Sequence, residues 1–257
     1  MNLDLWLRQI VAIVRLELKR YIKARRWFGV YLVAFAPVVL LLVASRRAEA
    51  PDQDVYANLF QFFMLRFAVF ISSIAIFTQL FRGEVIEKTL HFYLLAPVRR
   101  EVVALGKYAA GAVFTSVVFG VSTVLTYITM HSFMAEPKPP LVSHLASYVT
   151  ATIAACIIYG AACFLVGLMF KNPAGPCALL LAWEAFSFVL PPFFQRFSAI
   201  HYIQALLPVS VDRGPFAIVT EPPSPIYGVP LLLIVTALLL AAAGAVFRFT
   251  QITYSAD

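Results

Sequence analysis

Apolar residues in this chain gather into six long runs separated by polar stretches. The runs extend over about Trp27–Ala44, Leu59–Phe81, Lys107–Met130, His144–Phe170, Cys177–Phe194 and Val229–Phe247. Each is about 18 to 27 residues long and nearly free of charge, which is the length a helix needs to cross a bilayer core. A segment in hydrocarbon must satisfy its own backbone groups, so each run predicts a transmembrane helix. Pro37 should kink the first, a break that neighbouring helices tolerate. The connections are 45–58, 82–106, 131–143, 171–176 and 195–228. The expected fold class is an all-α integral membrane protein, with six transmembrane helices forming one transmembrane domain over residues 1–257.

The stretch ahead of the first run has another period. Leu3, Leu7, Ile10, Val14, Leu18 and Tyr21 recur at spacings of three and four, while Arg8, Arg15, Lys19 and Lys23 gather on the other side and Trp6 sits at the border. This predicts an amphipathic helix over Asn2–Ala24, within an N-terminal segment 1–26, lying in the membrane interface with its cations toward anionic headgroups. Two readings stand: an anchor ahead of the first span, or an elbow helix that braces that span and borders a partner subunit. The segment has no separate apolar core with a small-residue cleavage site, so no cleavable signal peptide is expected.

Two connections are longer than a hairpin needs. Residues 82–106 read RGEVIEKTLHFYLLAPVRREVVALG, with Ile86, Leu90, Tyr93 and Leu94 on one stripe and Glu84, Glu87, Lys88 and His91 on a polar side. Glu84 and Glu87 suit the positive end of a helix. Pro97 cannot continue that helix, so a second helix should begin near Arg99 and run into the third span. Apolar residues beside ordered charges suggest a surface that docks on a partner; the plainer reading is a solvated loop. Residues 195–228 hold SAIHYIQALLPVSV, which is too short and interrupted to span, followed by the Pro-rich TEPPSP. Re-entrant short helices and an interfacial helix both fit this composition.

Composition agrees with the pattern. Hydrophobic residues make up 61% and charged residues 13% of 257, and mean hydropathy is +0.85. That charge content cannot wet a soluble protein of this size, and the aromatic content excludes disorder. The net charge of +7 becomes an orientation signal once the 20 Lys and Arg are placed along the chain. Seven lie in the N-terminal segment, five in or beside connection 82–106, and Lys171 and Arg248 fall on the same side, making fourteen. The other side has five, Arg46, Arg47, Lys138, Arg196 and Arg213, and Arg66 lies within a span. Cations remain in the cytoplasm, so both termini are expected there, and the basic surface needs no nucleic acid partner.

Arg66 should lie about 9 Å from the outer surface, six residues at about 1.5 Å each, and Glu184 near the middle of the fifth run. Charges at such depth face the bundle interior, a partner or a cavity. The two could pair if spans two and five face each other; otherwise Arg66 snorkels to the headgroups and Glu184 bonds a neighbouring helix. Cys156, Gly160, Cys163 and Gly167 form a narrow stripe on the fourth span, which suits close helix packing. No metal site is expected, since the first two thiols stand about 10 Å apart along the axis. Phe60, Phe62, Phe63, Phe67 and Phe70 on span two suit either apolar cargo or lipid. His131, His144 and His201 fall at span ends or loops, where polar surface is the ordinary reading. Protease, lipase and metallo-enzyme motifs are absent, as is the Gly-x-x-x-x-Gly-Lys-Ser/Thr phosphate loop.

The series Glu84, Glu87-Lys88-Thr89-Leu90, Leu94-Leu95, Pro97, Arg99-Arg100 and Gly106-Lys107 resembles the permease subunits of ATP-binding-cassette exporters of the second type. Many relatives carry Gly where this chain has Lys88. The resemblance implies that 82–106 holds a coupling helix seated in a cleft of an ABC ATPase subunit, with Glu84, Glu87, Lys88, Thr89, Leu90, Arg99 and Arg100 as docking residues. It further implies a second permease copy, identical or paralogous, and a substrate path at the dimer interface. ATP and Mg would bind in the partner ATPase, with no cofactor or metal in this chain. Export from a prokaryotic cytoplasmic (inner) membrane, with re-entrant helices closing the outer gate, completes the expectation. Two alternatives from other classes are a gradient-driven transporter or channel using Glu184, and a membrane scaffold that recruits a cytoplasmic partner.

Overall fold

The structure is a computed structural model that describes residues 3–47, 53–80, 98–134, 137–209 and 222–249. Helix α1 covers Leu3–Lys23, and a 3-10 turn at Arg25–Trp27 leads into α2, Phe28–Arg47, with Pro37 inside it. The second run becomes one helical rod of three parts: α3 at Gln53–Asn58, a π-helical segment at Leu59–Val69 and α4 at Phe70–Phe77. There follow α5, Arg100–Phe133, and α6, Leu141–Met169. Next come α7 at Ala174–Phe186, a 3-10 turn at Ser187–Val189, and the short helices α8, Pro192–Gln195, and α9, Ala199–Ile203. A 3-10 turn at Gln204–Leu206 closes that region, and α10 spans Pro225–Phe249. Among the described residues the chain is all-helical.

Five rods are long and apolar enough to cross a membrane: Arg25–Val43, Gln53–Phe77, Arg100–Phe133, Leu141–Met169 and Pro225–Arg248. The run expected as a continuous span over Cys177–Phe194 departs from this. Its helix ends at Phe186 and the shorter apolar helix ends at Val189. Sixteen residues reach only about 24 Å, short of the roughly 30 Å hydrocarbon core. The reason lies in Pro191-Pro192. Proline disfavours helix in the residue before it, and Leu190 and Pro191 both have ψ of 152°.

The expected helix near Arg99 is the start of the third span itself. Arg99 is extended, with ψ of 139°, and α5 runs unbroken for 34 residues from Arg100, about 51 Å. Glu101 in its first turn suits the positive helix end. The π-helical stretch was not legible in the hydropathy pattern, because continuous apolar sequence has no period to shift.

The second rod, α5 and α6 form the interior, and most of the exposed large apolar residues on α2 and α10 point outward. Polar bonds lace the interior helices. Tyr108 Oη donates to the Ile157 carbonyl at 2.9 Å, the Thr123 and Thr152 hydroxyls lie 3.0 Å apart, and Ser122 Oγ donates to the Ala34 carbonyl. The Phe77 ring wedges between α5 and α6 at Gly111 and Gly160, where an added Cβ would lie 2.9 and 2.6 Å from ring carbons. Connection 82–106 therefore departs from a rod already locked to both neighbours.

Candidate functional site

Arg66 projects from the π-helical segment and is 4% exposed. Its Nη1 donates to the Glu184 carbonyl at 2.7 Å, the Ala185 carbonyl at 3.2 Å and Ser187 Oγ at 3.0 Å. The guanidinium also stands over the Phe62 and Phe188 rings, 5.4 and 5.5 Å from their centroids. These carbonyls are among the last of α7, which a helix end leaves without intrahelical donors. Arg66 thus caps a C-terminus, where cations are favourable.

The Glu184 side chain, 7% exposed, turns the other way. It accepts from Ser198 Oγ at 2.7 Å, the Ala199 N–H at 2.8 Å, the Ile200 N–H at 3.2 Å and Tyr159 Oη at 3.4 Å. The two N–H groups open α9, so this carboxylate serves as a cap supplied from another helix. Gln204, just past α9, donates through Nε2 to Gln61 Oε1 on the π-helical segment at 2.8 Å. The polar links therefore close a circuit: segment to α7 through Arg66, α7 to α9 through Glu184, and the turn after α9 back to the segment through Gln204. Arg66 and Glu184 are brought to one site, where Arg66 meets the end of α7 and the Glu184 carboxylate meets the start of α9 and Tyr159 of α6. Gln61, Ser187, Ser198, Tyr159 and Gln204 were not foreseen, since uncharged polar residues barely register in hydropathy. An apolar groove beside this site is lined by Phe62, Phe67, Leu181, Ala185 and Phe186 together with Arg66. Phe60 and Phe70 instead pack inward, on Tyr148 and Tyr159.

A second cluster lies at the opposite end of the bundle. Lys107 Nζ meets Glu17 Oε1 at 2.6 Å, with the side chains 0% and 3% exposed. The residue before Lys107, Gly106, lets α1 approach so closely that a Cβ there would lie 3.0 Å from Ile13 Cβ. Arg99 sits over the Trp6 ring at 5.2 Å, and Tyr21 stacks on Phe114 at 5.1 Å. Trp6 with Arg99, Ile13 with Gly106 and Tyr21 with Phe114 all differ by 93 in number, so α1 and α5 run side by side in the same direction. Part of the expected membrane-facing stripe, Val14, Leu18 and Tyr21, is therefore turned toward the bundle, while Leu7, Val11 and Ile22 stay exposed beside Arg8, Arg15 and Lys19. The overlooked cue was Glu17, an acid on the apolar stripe of a basic helix.

Glu84, Glu87, Lys88, Thr89 and Leu90 lie outside the described residues. Arg99 and Arg100 are described at the start of α5, and Arg248 on α10 lies 3.9 Å from Glu101. The Cys156–Gly167 stripe packs against neighbouring helices. Gly160 receives Phe77, Gly167 would place a Cβ 2.9 Å from Thr78 Cα, and Cys156, Cys163 and, on α7, Cys177 are all free thiols buried in the core. No group of three metal-ligating side chains occurs among the described residues. His131 meets the Pro139 carbonyl at 3.2 Å, His144 meets Gln53 at 3.3 Å, and His201 is buried against Tyr202.

No curated protein matches the chain. A family described as "ABC-2 family transporter protein" matches residues 14–186, more than half of its 257. The match takes in Glu17, Arg66, Lys107 and Glu184 and the whole of connection 82–106. With its apolar rods it makes the chain a multi-pass membrane permease of an ABC transporter, whose family associates with ABC ATPase subunits. The chain belongs to the ABC-2 family of transporter proteins.

Proposed function

We propose that this permease works as an exporter subunit, pairs with a second copy to form the substrate path, and is driven by separate ATPase subunits docked on 82–106. Glu84, Glu87, Lys88, Thr89, Leu90, Arg99 and Arg100 make that docking surface, and ATP and Mg bind in the partner. Both termini face the cytoplasm of a prokaryotic cell. The helix Ala174–Val189 makes the fifth of six crossings, and the short helices after it fold back as the outer gate.

The observation that carries this reading is the buried Lys107–Glu17 pair. Connection 82–106 enters α5 at Arg99, within two turns of that joint, and α1 leads directly into α2. A push on the connection therefore moves α5, α1 and the first span together, as a docked element must if nucleotide closure is to reach the opposite face. The Glu184 carboxylate is engaged by four donors, which suits a cap better than a proton carrier.

The test is co-purification with an ABC ATPase subunit co-expressed with this chain. Glu87→Ala and Leu90→Ala should abolish capture while leaving the permease folded. Transport by the isolated chain, driven by a proton gradient without an ATPase, would refute the proposal.

A further inference from the structure

Helix α8 and the turn after it have two sides of opposite character. Gln195 and Ser198, 2% and 1% exposed, fasten the segment from beneath. Gln195 Nε2 donates to the Leu190 carbonyl at 2.9 Å, and Ser198 Oγ donates to the Glu184 carboxylate at 2.7 Å. With these two side chains turned inward, Phe193, Phe194 and Phe197 are left 64%, 44% and 68% exposed. Their rings form one plate. Phe193 meets Phe197 at 5.4 Å and Phe194 at 5.5 Å, and Phe194 meets Trp183 of α7 at 6.1 Å, all edge to face. Arg196, beside Phe197, is exposed as well, and no ion pair holds it among the described residues. A contiguous aromatic plate of this kind marks a contact surface.

The backbone of the segment suits hydrocarbon better than water. Pro191 and Pro192 have no N–H to satisfy, and the N–H groups of Phe194, Gln195, Phe197 and Ser198 bond carbonyls at 2.9, 3.2, 3.1 and 3.0 Å. Such internal satisfaction is what membrane depth requires. The helix Ala174–Val189 reaches about 24 Å of a core about 30 Å thick, so it stops about 6 Å short of the far boundary. The three residues before Phe193 can bridge that gap. We infer that this side of α8 is a lipid-docking surface, with the ring plate seated among acyl chains at the edge of the outer leaflet and Arg196 on the phosphates of anionic headgroups. Apolar rings buried a few ångströms deep beside a headgroup cation are the pattern of an interfacial segment. A two-fold contact with a second copy centred here would instead bring two Arg196 guanidinium groups together. The inference rests on the proposed fifth crossing for the depth of α8, and on the proposed orientation only for naming the leaflet.

The test places p-benzoylphenylalanine at Phe193 or, separately, at Phe197 in the full chain, reconstituted in vesicles of phosphatidylethanolamine and phosphatidylglycerol. The irradiated probe inserts into C–H bonds and is spared by water. Mass spectrometry should find single-phospholipid adducts at both positions. Arg196→Gln should lower the phosphatidylglycerol share of those adducts about fivefold, the worth of one cation near an anionic surface. An unchanged share would overturn the headgroup contact. A cross-linked pair of chains in place of lipid adducts would assign the plate to a second copy, cross-links within one chain would assign it to another part of this chain, and no product would leave it in water; each overturns the surface. Both probed rings are largely exposed and need no new room, and if one variant is poorly produced the other decides. A third probe at Leu179, 73% exposed on α7, reads the crossing itself. Products there with no lipid adduct on α8 would sink the surface alone, whereas ATPase capture is a separate readout that neither result moves.

Discussion

Replacing Lys107 by Met should leave the Glu17 carboxylate in a site that admits almost no water, since the two side chains are 0% and 3% exposed. Removing one partner of a buried pair typically costs about 3–5 kcal/mol, because the remaining charge stays desolvated and loses that partner. Glu17→Gln should cost less, about 2–3 kcal/mol, since an amide retains some of the bonding and the leftover ammonium sits on a flexible stem that can reach toward water. The double variant Glu17→Gln/Lys107→Met removes both charges, and replacing both members of a buried pair is often close to neutral. It should therefore lie within about 1–2 kcal/mol of the parent, leaving a coupling energy of at least about 3 kcal/mol. The measurement is a double-mutant cycle on the detergent-purified chain, with melting followed by loss of the monodisperse chromatographic peak. Hydrogen exchange of the α1 amides supplies the local readout: in the single variants α1 should lose protection before α6 does. Additive losses, with the double variant as damaged as the sum of the singles, would refute the reasoning. They would mean that each group is held by its other surroundings and that the pair does not join α1 to α5.

Two further outcomes follow from the same geometry. Gly167→Ala should destabilise more than Gly160→Ala, within the roughly 1–3 kcal/mol of overpacking, because its new Cβ meets Thr78 backbone at 2.9 Å whereas Gly160 meets a Phe77 ring that can tilt. Gly120→Ala, with open space, should be neutral or slightly stabilising, and relative melting temperatures check the order. Arg66→Lys should fail to replace Arg66, since an ammonium has no planar face to lie over the Phe62 and Phe188 rings while its end reaches the two carbonyls and the hydroxyl that Nη1 meets. Reconstituted transport and exchange of the Ser187–Val189 amides should both shift, and full activity with unchanged exchange would count against the capping role.

Much of the fold was legible because length and apolarity are what a bilayer selects. The third and fourth runs became α5 and α6, with α5 beginning seven residues earlier, at Arg100, and the other ends displaced by one to three, and the last became α10. The break in the fifth run was also written in the chain, as Pro191-Pro192, but hydropathy averages over such a pair. Arg66 and Glu184 were visible as rare intramembrane charges, and their closeness followed from spans two and five meeting. Their bonding was not visible, because the acceptors of Arg66 include backbone carbonyls and two donors to Glu184 are backbone N–H groups. Those exist only once the helix has ended. The α1–α5 register was hidden for a related reason: Gly106 reads as a neutral small residue until Ile13 is placed upon it.

The two intramembrane charges are better understood through the helix ends than through each other. Where α7 stops, its final carbonyls lose their donors, and where α9 starts, its first N–H groups have no acceptors. In hydrocarbon each unmet group costs several kcal/mol, so a broken crossing must carry its own caps. A neutral side chain could meet one such group. Arg66 meets two carbonyls and the Ser187 hydroxyl at once, and Glu184 meets two N–H groups and two hydroxyls. The positive charge rests on the negative end of α7 and the negative charge on the positive end of α9, so each is stabilised by the dipole it caps. Because the carbonyl that Arg66 binds and the carboxylate that binds α9 belong to the same residue, the two caps share one anchor. Moving α9 away from α7 must break the Glu184 contacts, and sliding the π-helical segment must break those of Arg66. The charges therefore fix where the chain bends between α7 and α9, and any motion that parts these two helices has to break the contacts of that residue.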